Sequence, residues 1–172
     1  MYPHILLACM IIAYVVVIYR VWTYYQRSQR SQRSVSHLIC EPEVWPTVVI
    51  GMLTMIFFTC LYEAQRQCAL SWLIMMTVCG CLLGVIAVPT TTQHLTHITL
   101  AFILFLSIIA WMWVATTFHG CGQRFRYIQL MCLALLIGAY VADTKKVFLV
   151  AECLYLLNFA ACFLFLHTCI RV

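Results

Sequence analysis

Six long apolar runs recur from one end of the chain to the other, and they constrain the fold more than any other feature. They lie at 3–19, 46–62, 69–88, 97–118, 127–142 and 146–168. A helix needs about 20 mostly apolar residues to cross roughly 30 Å of hydrocarbon, so each run predicts a spanning helix, with the fifth run the shortest. The first run lacks a cleavage site behind it and is read as a retained span.

The predicted fold class is all-α, an integral membrane six-helix bundle with short loops that forms a single domain over residues 1–172. A closed barrel is the other way to cross a membrane, and it needs alternating apolar and polar residues, which these runs lack. The chain is 65% hydrophobic and 9% charged, whereas soluble domains are about half apolar and about a quarter charged. We therefore expect lipid to be the main solvent. No basic face with interleaved aromatics occurs, so a nucleic-acid partner is not expected.

Prolines, glycines and cysteines give more local predictions. Pro46 is expected in the first turn of the second helix, Pro89 at the end of the third, and Gly120 and Gly122 after the fourth. Close helix contacts are expected at small residues, namely Gly80, Gly84, Ala87 and Gly138. Most of the eleven cysteines lie in apolar runs as packing residues, while three near span ends are candidates for palmitoylation: Cys68, Cys121 and Cys169.

The six spans divide the connections between the two sides of the membrane. Connections 1, 3 and 5 share one side, and connections 2 and 4 share the other side with both termini. The first side carries six arginine and lysine residues and the second carries four. Cytosolic connections are enriched in arginine and lysine, so this small margin leans towards a cytosolic first connection. That connection, 20–45, contains the polar run QRSQRSQRS.

Ionisable side chains gather at one predicted face of the bundle. Connections 1, 3 and 5 lead into spans 2, 4 and 6, so the starts of these spans meet the same membrane surface. The side chains there are Glu41 and Glu43, His94 and His97, and Asp143 and Glu152. We predict a polar cluster of Glu43, His97 and Glu152 that makes lipid, partner or structural contacts. Glu41, His94 and Asp143 are its secondary members.

Several chemistries are open to this cluster. An ionisable residue inside a span, such as Glu152, is a candidate functional group, although it can also reach the interface or accept hydrogen bonds from a neighbouring helix. A hydrogen bond from His97 to Glu152 is the interpretation we favour. The His94-x-x-His97 spacing could present two imidazoles to a metal, but a zinc site needs a third ligand. We expect no metal and no cofactor. The chain contains no G-x-S-x-G motif, and we expect no enzyme activity.

Three segments resemble one family of six-span membrane proteins. The first is CEPEVWP before span 2, with Pro42 and Glu43; the second is LGVIAVPTTTQHLTHITLAF around His97; the third is AECLYLLNFAACFLFLHT, with Glu152. Together they resemble the damage-regulated autophagy modulators (DRAM) and their relatives, including transmembrane-150 proteins, FGF-receptor-activating-protein-like proteins and fungal phosphoinositide-kinase suppressors. The chain departs from that pattern where SVSHLIC replaces a Ser-Asp-containing motif, and where a short loop precedes span 3.

The resemblance implies a non-catalytic multi-pass protein that modulates autophagy or membrane-lipid and phosphoinositide signalling. Its implied partners are membrane lipids and other membrane or membrane-associated proteins, and its implied location is the endomembrane or lysosomal system or the plasma membrane. The family topology has cytosolic termini and a lumenal first connection, against the arginine and lysine count. We follow the family here, because a long low-complexity connection weakens the positive-inside rule. Two other functions remain open, a small proton-coupled transporter and an intramembrane lipid-modifying enzyme, each using Glu152 and His97.

Overall fold

Six helices make up almost all of the described structure. The computed structural model describes residues 3–27, 38, 41–65, 68–88 and 93–169. Its helices are α1 (Pro3–Arg27), α2 (Trp45–Ala64), α3 (Ala69–Ala87), α4 (His94–Phe118), α5 (Gln123–Val141) and α6 (Lys145–Cys169), and this part of the chain contains no strand. All six are long and apolar enough to cross a membrane. The predicted all-α class is confirmed, and the chain is a multi-pass membrane protein. Pro89 and most of the QRSQRSQRS run lie outside the described residues.

Several helices extend beyond the apolar runs that predicted them. The first helix ends at Arg27 and not at residue 19, so Arg20 belongs to α1 and not to the first connection. The fourth helix begins at His94 and the fifth at Gln123, three and four residues before their predicted starts. An apolar run marks only the part of a helix that lies inside the hydrocarbon core. A helix can also continue through the headgroup regions, and the bilayer including them is about 40–45 Å thick.

The helix boundaries follow from proline and from left-handed backbone conformations. Pro46 lies in the first turn of α2, as predicted, where its missing N–H has no helical partner to lose. Gly120 and Gly122 have φ angles of +68° and +79°, which glycine adopts without the steric cost of a Cβ atom. Asp143 has a φ of +47° in the turn before α6, a conformation that aspartate tolerates better than most residues.

The described residues up to Leu104 form one compact unit, which we call the N-terminal unit. Its closest helix contact joins α1 to α2, where a Cβ atom added to Gly51 would collide with Cγ2 of Val17. Gly84 of α3 makes a looser contact, since a Cβ there would lie 3.1 Å from Cδ1 of Leu100. The prediction of a close contact is confirmed at Gly84, but it is wrong at Gly80, where no described atom lies within 4 Å of the added carbon.

Phe105 to Cys169 form a second compact unit, the C-terminal unit, whose core is aromatic. Trp111 of α4 is fully buried, and its ring lies 5.4 Å from that of Phe159 and 5.6 Å from that of Phe163, both on α6. Aromatic contacts of this kind contribute about 0.5–1.5 kcal/mol beyond the area that they bury. Gly138 of α5 has no described atom near its added Cβ, so the expected close contact there is also wrong. The single-domain assignment for the whole chain stays a prediction.

Candidate functional site

The end of α3 joins the starts of α2 and α4 within the N-terminal unit. The last carbonyl groups of a helix have no partner inside it and need other donors. The indole Nε1 of Trp45 donates to the carbonyl oxygen of Ile86 at 3.5 Å, and Nδ1 of His97 lies 2.7 Å from the carbonyl oxygen of Val88. The first turn of α4 and the first residue of α2 therefore lie at the same end of this unit.

His97 is buried, with 3% of its surface exposed. A carbonyl oxygen can only accept a hydrogen bond, so Nδ1 of His97 carries the hydrogen that it donates to Val88. In the neutral ring Nε2 then carries a lone pair, and this atom has no hydrogen-bond partner among the described residues of its own unit. His94, one turn earlier, is exposed. The two histidines therefore have different environments.

The two glutamates before α2 contribute mainly through their backbone. The carbonyl oxygen of Glu41 accepts hydrogen bonds from the N–H groups of Val44 and Trp45, at 2.9 and 2.8 Å, which forms the turn that starts α2. The carbonyl oxygen of Glu43 accepts a hydrogen bond from Nη2 of Arg20 on α1 at 2.9 Å. The Glu43 side chain is exposed, and no hydrogen bond joins its carboxylate to His97 in the described structure.

Glu152 and Asp143 lie in the C-terminal unit. Glu152 is two turns into α6 and buried, with 7% of its surface exposed. Asp143 is exposed in the turn before that helix, where its N–H donates to the carbonyl oxygen of Tyr140 at 3.2 Å. Because His97 and Glu152 belong to different units, the hydrogen bond between them stays a prediction.

A buried polar network that the sequence analysis did not predict joins α5 to α6. Nδ2 of Asn158 donates to Oε1 of Gln129 at 2.5 Å and to the carbonyl oxygen of Phe125 at 3.0 Å. Nε2 of Gln129 donates to the carbonyl oxygen of Tyr155 at 3.2 Å, and the Tyr155 hydroxyl donates to the carbonyl oxygen of Phe105 on α4 at 2.5 Å. The signal was present in the sequence, because amide side chains inside apolar spans commonly join neighbouring helices.

Arg126 joins α4 to α5 next to the turn between them. Its Nη2 donates to Oγ1 of Thr117 at 2.7 Å, its Nε donates to Oγ1 of Thr116, and its guanidinium lies 5.0 Å from the ring centre of Trp113. A guanidinium over an indole ring gains an electrostatic attraction in addition to its hydrogen bonds. This arginine therefore connects the first turn of α5 to the last turns of α4.

Cys121 and Cys169 form a disulfide, with their Cα atoms 6.9 Å apart. The bond connects the α4–α5 turn to the end of α6 within the C-terminal unit. The prediction that these two cysteines are palmitoylated is therefore wrong for this structure, because a disulfide leaves no thiol to acylate. The two positions are 48 residues apart, so their proximity depends on the packing of three helices.

A second buried acid, Glu63, lies at the opposite end of the N-terminal unit from His97. The Ser71 hydroxyl on α3 donates to Oε2 of Glu63 on α2 at 2.9 Å, and both residues are almost fully buried. This pair supplies the carboxylate with a hydrogen bond where water is excluded. Among the described residues, no group of three or more histidine, cysteine or acidic side chains is placed to hold a metal ion.

Comparison with known proteins does not assign the chain to a family. No protein-family model, curated protein or solved structure matches it significantly. The resemblance to the DRAM family therefore stays a prediction based on the short segments around Glu43, His97 and Glu152.

Proposed function

We propose that this multi-pass protein is non-catalytic and modulates autophagy or membrane-lipid signalling through contacts with lipids and partner proteins. The observation that carries the proposal is that large apolar side chains cover the helix surfaces, whereas the buried polar side chains are hydrogen-bonded within the protein. Large apolar side chains are exposed along all six helices, among them Ile12 on α1, Ile50 on α2 and Leu73 on α3. Such surfaces are complementary to lipid and to other membrane helices.

The buried polar side chains support the same function. Gln129, Asn158 and Tyr155 are occupied by hydrogen bonds between helices, and Ser71 is occupied by Glu63. Groups in such bonds stabilise helix packing, which is the ordinary role of polar residues in a span. The exposed side chains of Glu43 and His94, by contrast, lie at helix starts.

A proton-coupled carrier is the second candidate. The observation that favours it is His97, whose buried Nε2 has no hydrogen-bond partner among the described residues of its unit and could accept a proton. Glu152 is another buried group that could exchange a proton in such a carrier. A regulator would keep both residues for structural or contact roles, so proton-driven transport distinguishes the two functions.

Expression of the chain in cells tests the regulatory function. We expect the wild-type chain to change autophagic flux, or the membrane recruitment of a fluorescent phosphoinositide sensor. The variant Glu43→Gln removes an exposed charge but keeps the carbonyl group that binds Arg20, so it should weaken that effect without unfolding the protein. Arg124→Gln is the matched control, because Arg124 is also exposed but lies at the start of α5. A wild-type chain that changes neither readout would contradict the proposal.

A further inference from the structure

We propose that a groove between α1 and α2 binds one anionic phospholipid, with an acyl chain along the groove and the phosphate against Arg20. The groove has a volume of about 490 Å³, within the range of about 300–1,000 Å³ that small-molecule sites occupy. Its walls are mainly apolar and include Ile12 and Val16 of α1 and Ile50 and Phe58 of α2. This site deepens the lipid contact of the proposed function, and its role in signalling rests on that function.

The register of α1 places a positive charge at one end of the groove. Cys9, Ala13 and Val16 line the groove, and Arg20 follows Val16 by four residues. Residues three and four apart lie on one face of a helix, so Arg20 is on the groove side, one turn beyond Val16. Its hydrogen bond to the carbonyl oxygen of Glu43, just before α2, keeps it at the junction of the two helices.

The distance from the far end of the groove to Arg20 matches one leaflet. The helical rise of about 1.5 Å per residue places Arg20 about 16 Å from Cys9 along α1, and half of the hydrocarbon core is about 15 Å thick. Trp22 and Trp45, both exposed, lie near the Arg20 end, as tryptophans do at the level of lipid headgroups. An acyl chain in the groove would therefore place its phosphate close to the guanidinium.

Arg20 has donors to offer such a phosphate. It carries five N–H donors, and Nη2 donates to a neutral carbonyl. Arg20 makes no ion pair with the acids that the structure describes, so its charge is not neutralised there. A guanidinium binds phosphate through paired N–H groups, which favours an anionic lipid over one whose phosphate is balanced by choline.

Photo-crosslinking in nanodiscs tests the site directly. The full chain is reconstituted in phosphatidylcholine with a trace of photoreactive phosphatidylserine or photoreactive phosphatidylcholine, and the crosslinked peptides are mapped by mass spectrometry. We expect phosphatidylserine to crosslink preferentially at the α1 and α2 groove residues. Arg20→Gln should reduce this preference about fivefold, since one basic side chain contributes about 1 kcal/mol near anionic lipid. Val16→Phe should reduce crosslinking of both lipids by filling the groove.

Two control variants separate the groove from the rest of α1. Val15→Phe adds the same ring at an exposed position outside the groove, and Arg27→Gln removes a charge from the last residue of the helix. Both should crosslink like the wild type. Equal crosslinking of the two lipids, or an unchanged preference in Arg20→Gln, overturns the proposal. So does a chain-to-chain crosslink through the groove residues, because a second copy would then occupy it.

Comparing lipid binding with the cellular readouts distinguishes failure of the site from failure of the regulatory function. If the lipid does not bind but the chain still changes the cellular readouts, the groove assignment is wrong and the regulatory function stands. If the lipid binds as expected while wild-type expression changes neither readout, the site is correct and the regulatory function is wrong.

The disulfide independently assigns the orientation of the protein in the membrane. To form it, the thiols of Cys121 and Cys169 lose two protons and two electrons, which reduce the disulfide of a lumenal thiol oxidoreductase to two thiols. Such bonds persist in the secretory lumen and outside the cell but not in the cytosol. The α4–α5 turn and the end of α6 therefore face the lumen or the exterior.

This orientation agrees with the distribution of basic residues. The start of α6 then lies on the cytosolic side, together with Lys145 and Lys146, as the positive-inside rule favours. Six crossings extend the same assignment to the first connection, and the Arg20 end of the groove would face the cytosolic leaflet, where anionic lipids are concentrated. It is opposite to the topology that the family resemblance implied.

Two measurements on the full chain in cells test the orientation. Free thiols are blocked in denaturant, disulfides are reduced, and the released thiols are counted with a mass tag. The wild type and Cys153→Ser should each gain two tags, and Cys121→Ser none. A tag carrying an Asn-x-Thr acceptor after Val172 should be glycosylated, and the chain has no acceptor of its own. Absence of released thiols in the wild type, or an unglycosylated tag, overturns the assignment.

Discussion

Nδ1 of His97 donates a hydrogen bond to the carbonyl oxygen of Val88 across 2.7 Å, so the first turn of α4 closes the end of α3. A carbonyl group at a helix end has no partner of its own, and in a membrane it cannot rely on water. The sequence analysis assigned His97 to lipid, partner or helix contacts, and the structure adds a defined structural bond to one ring nitrogen. The other nitrogen remains available for a contact role.

Replacing His97 should destabilise the protein through the loss of this bond. His97→Leu leaves the Val88 carbonyl without its donor, and we expect the free energy of unfolding to fall by about 1–3 kcal/mol. Denaturation by SDS in mixed micelles measures the change. His97→Gln retains an N–H donor and should lose less. His94→Leu is the exposed control, and an equal loss in this variant would show that the bond to Val88 is not the cause.

The amide pair in the C-terminal unit should show energetic coupling. Gln129→Leu and Asn158→Leu each remove one side of a direct bond between α5 and α6. In a double-mutant cycle we expect a coupling energy of about 0.6 kcal/mol and at most about 1.7 kcal/mol, as for other bonds between spans. Gln129→Leu combined with Thr144→Val is the control pair and should be additive. Additive effects of Gln129→Leu and Asn158→Leu would contradict the hydrogen bond between these two side chains.

Replacing Gly51 or Gly80 by alanine should have different effects on stability. Gly51→Ala should lower the free energy of unfolding by about 1–3 kcal/mol, because the new methyl group collides with Val17 on α1 and overpacks the contact. Gly80→Ala meets open space and should leave stability unchanged or slightly raised. Adding Val17→Ala to Gly51→Ala should restore part of the loss. Equal effects of the two alanines in SDS denaturation would contradict the packing.

The sequence predicted the number and type of the helices because each apolar run is close to a membrane thickness in length. It did not predict where α1 ends, since an interfacial helix needs no hydrophobicity. It also assigned close contacts to Gly80 and Gly138, where the described residues make none, and it overlooked the contact at Gly51. Gly51 stands out only once its partner Val17 is known, because a glycine alone does not identify the surface that it approaches.

The polar residues show the same limit. Counting spans predicted that Glu43 and His97 lie near helix starts at one membrane surface, and the bonds of Trp45 and His97 to the end of α3 are consistent with that. The bond of His97 to a backbone carbonyl could not be predicted, since every residue offers one. The pairing of Cys121 with Cys169 likewise depends on helices that bring distant segments together.

Measuring solute flux and lipid turnover in liposomes tests most directly whether the protein is a regulator. The purified chain, Glu152→Gln and Glu63→Gln are reconstituted, and proton-driven solute flux and lipid turnover are followed. Glu63→Gln is the matched control, because its amide oxygen can still accept the hydrogen bond of Ser71. The regulatory account predicts that wild-type flux and turnover equal those of empty liposomes. Wild-type flux or turnover that Glu152→Gln abolishes and Glu63→Gln retains would contradict it.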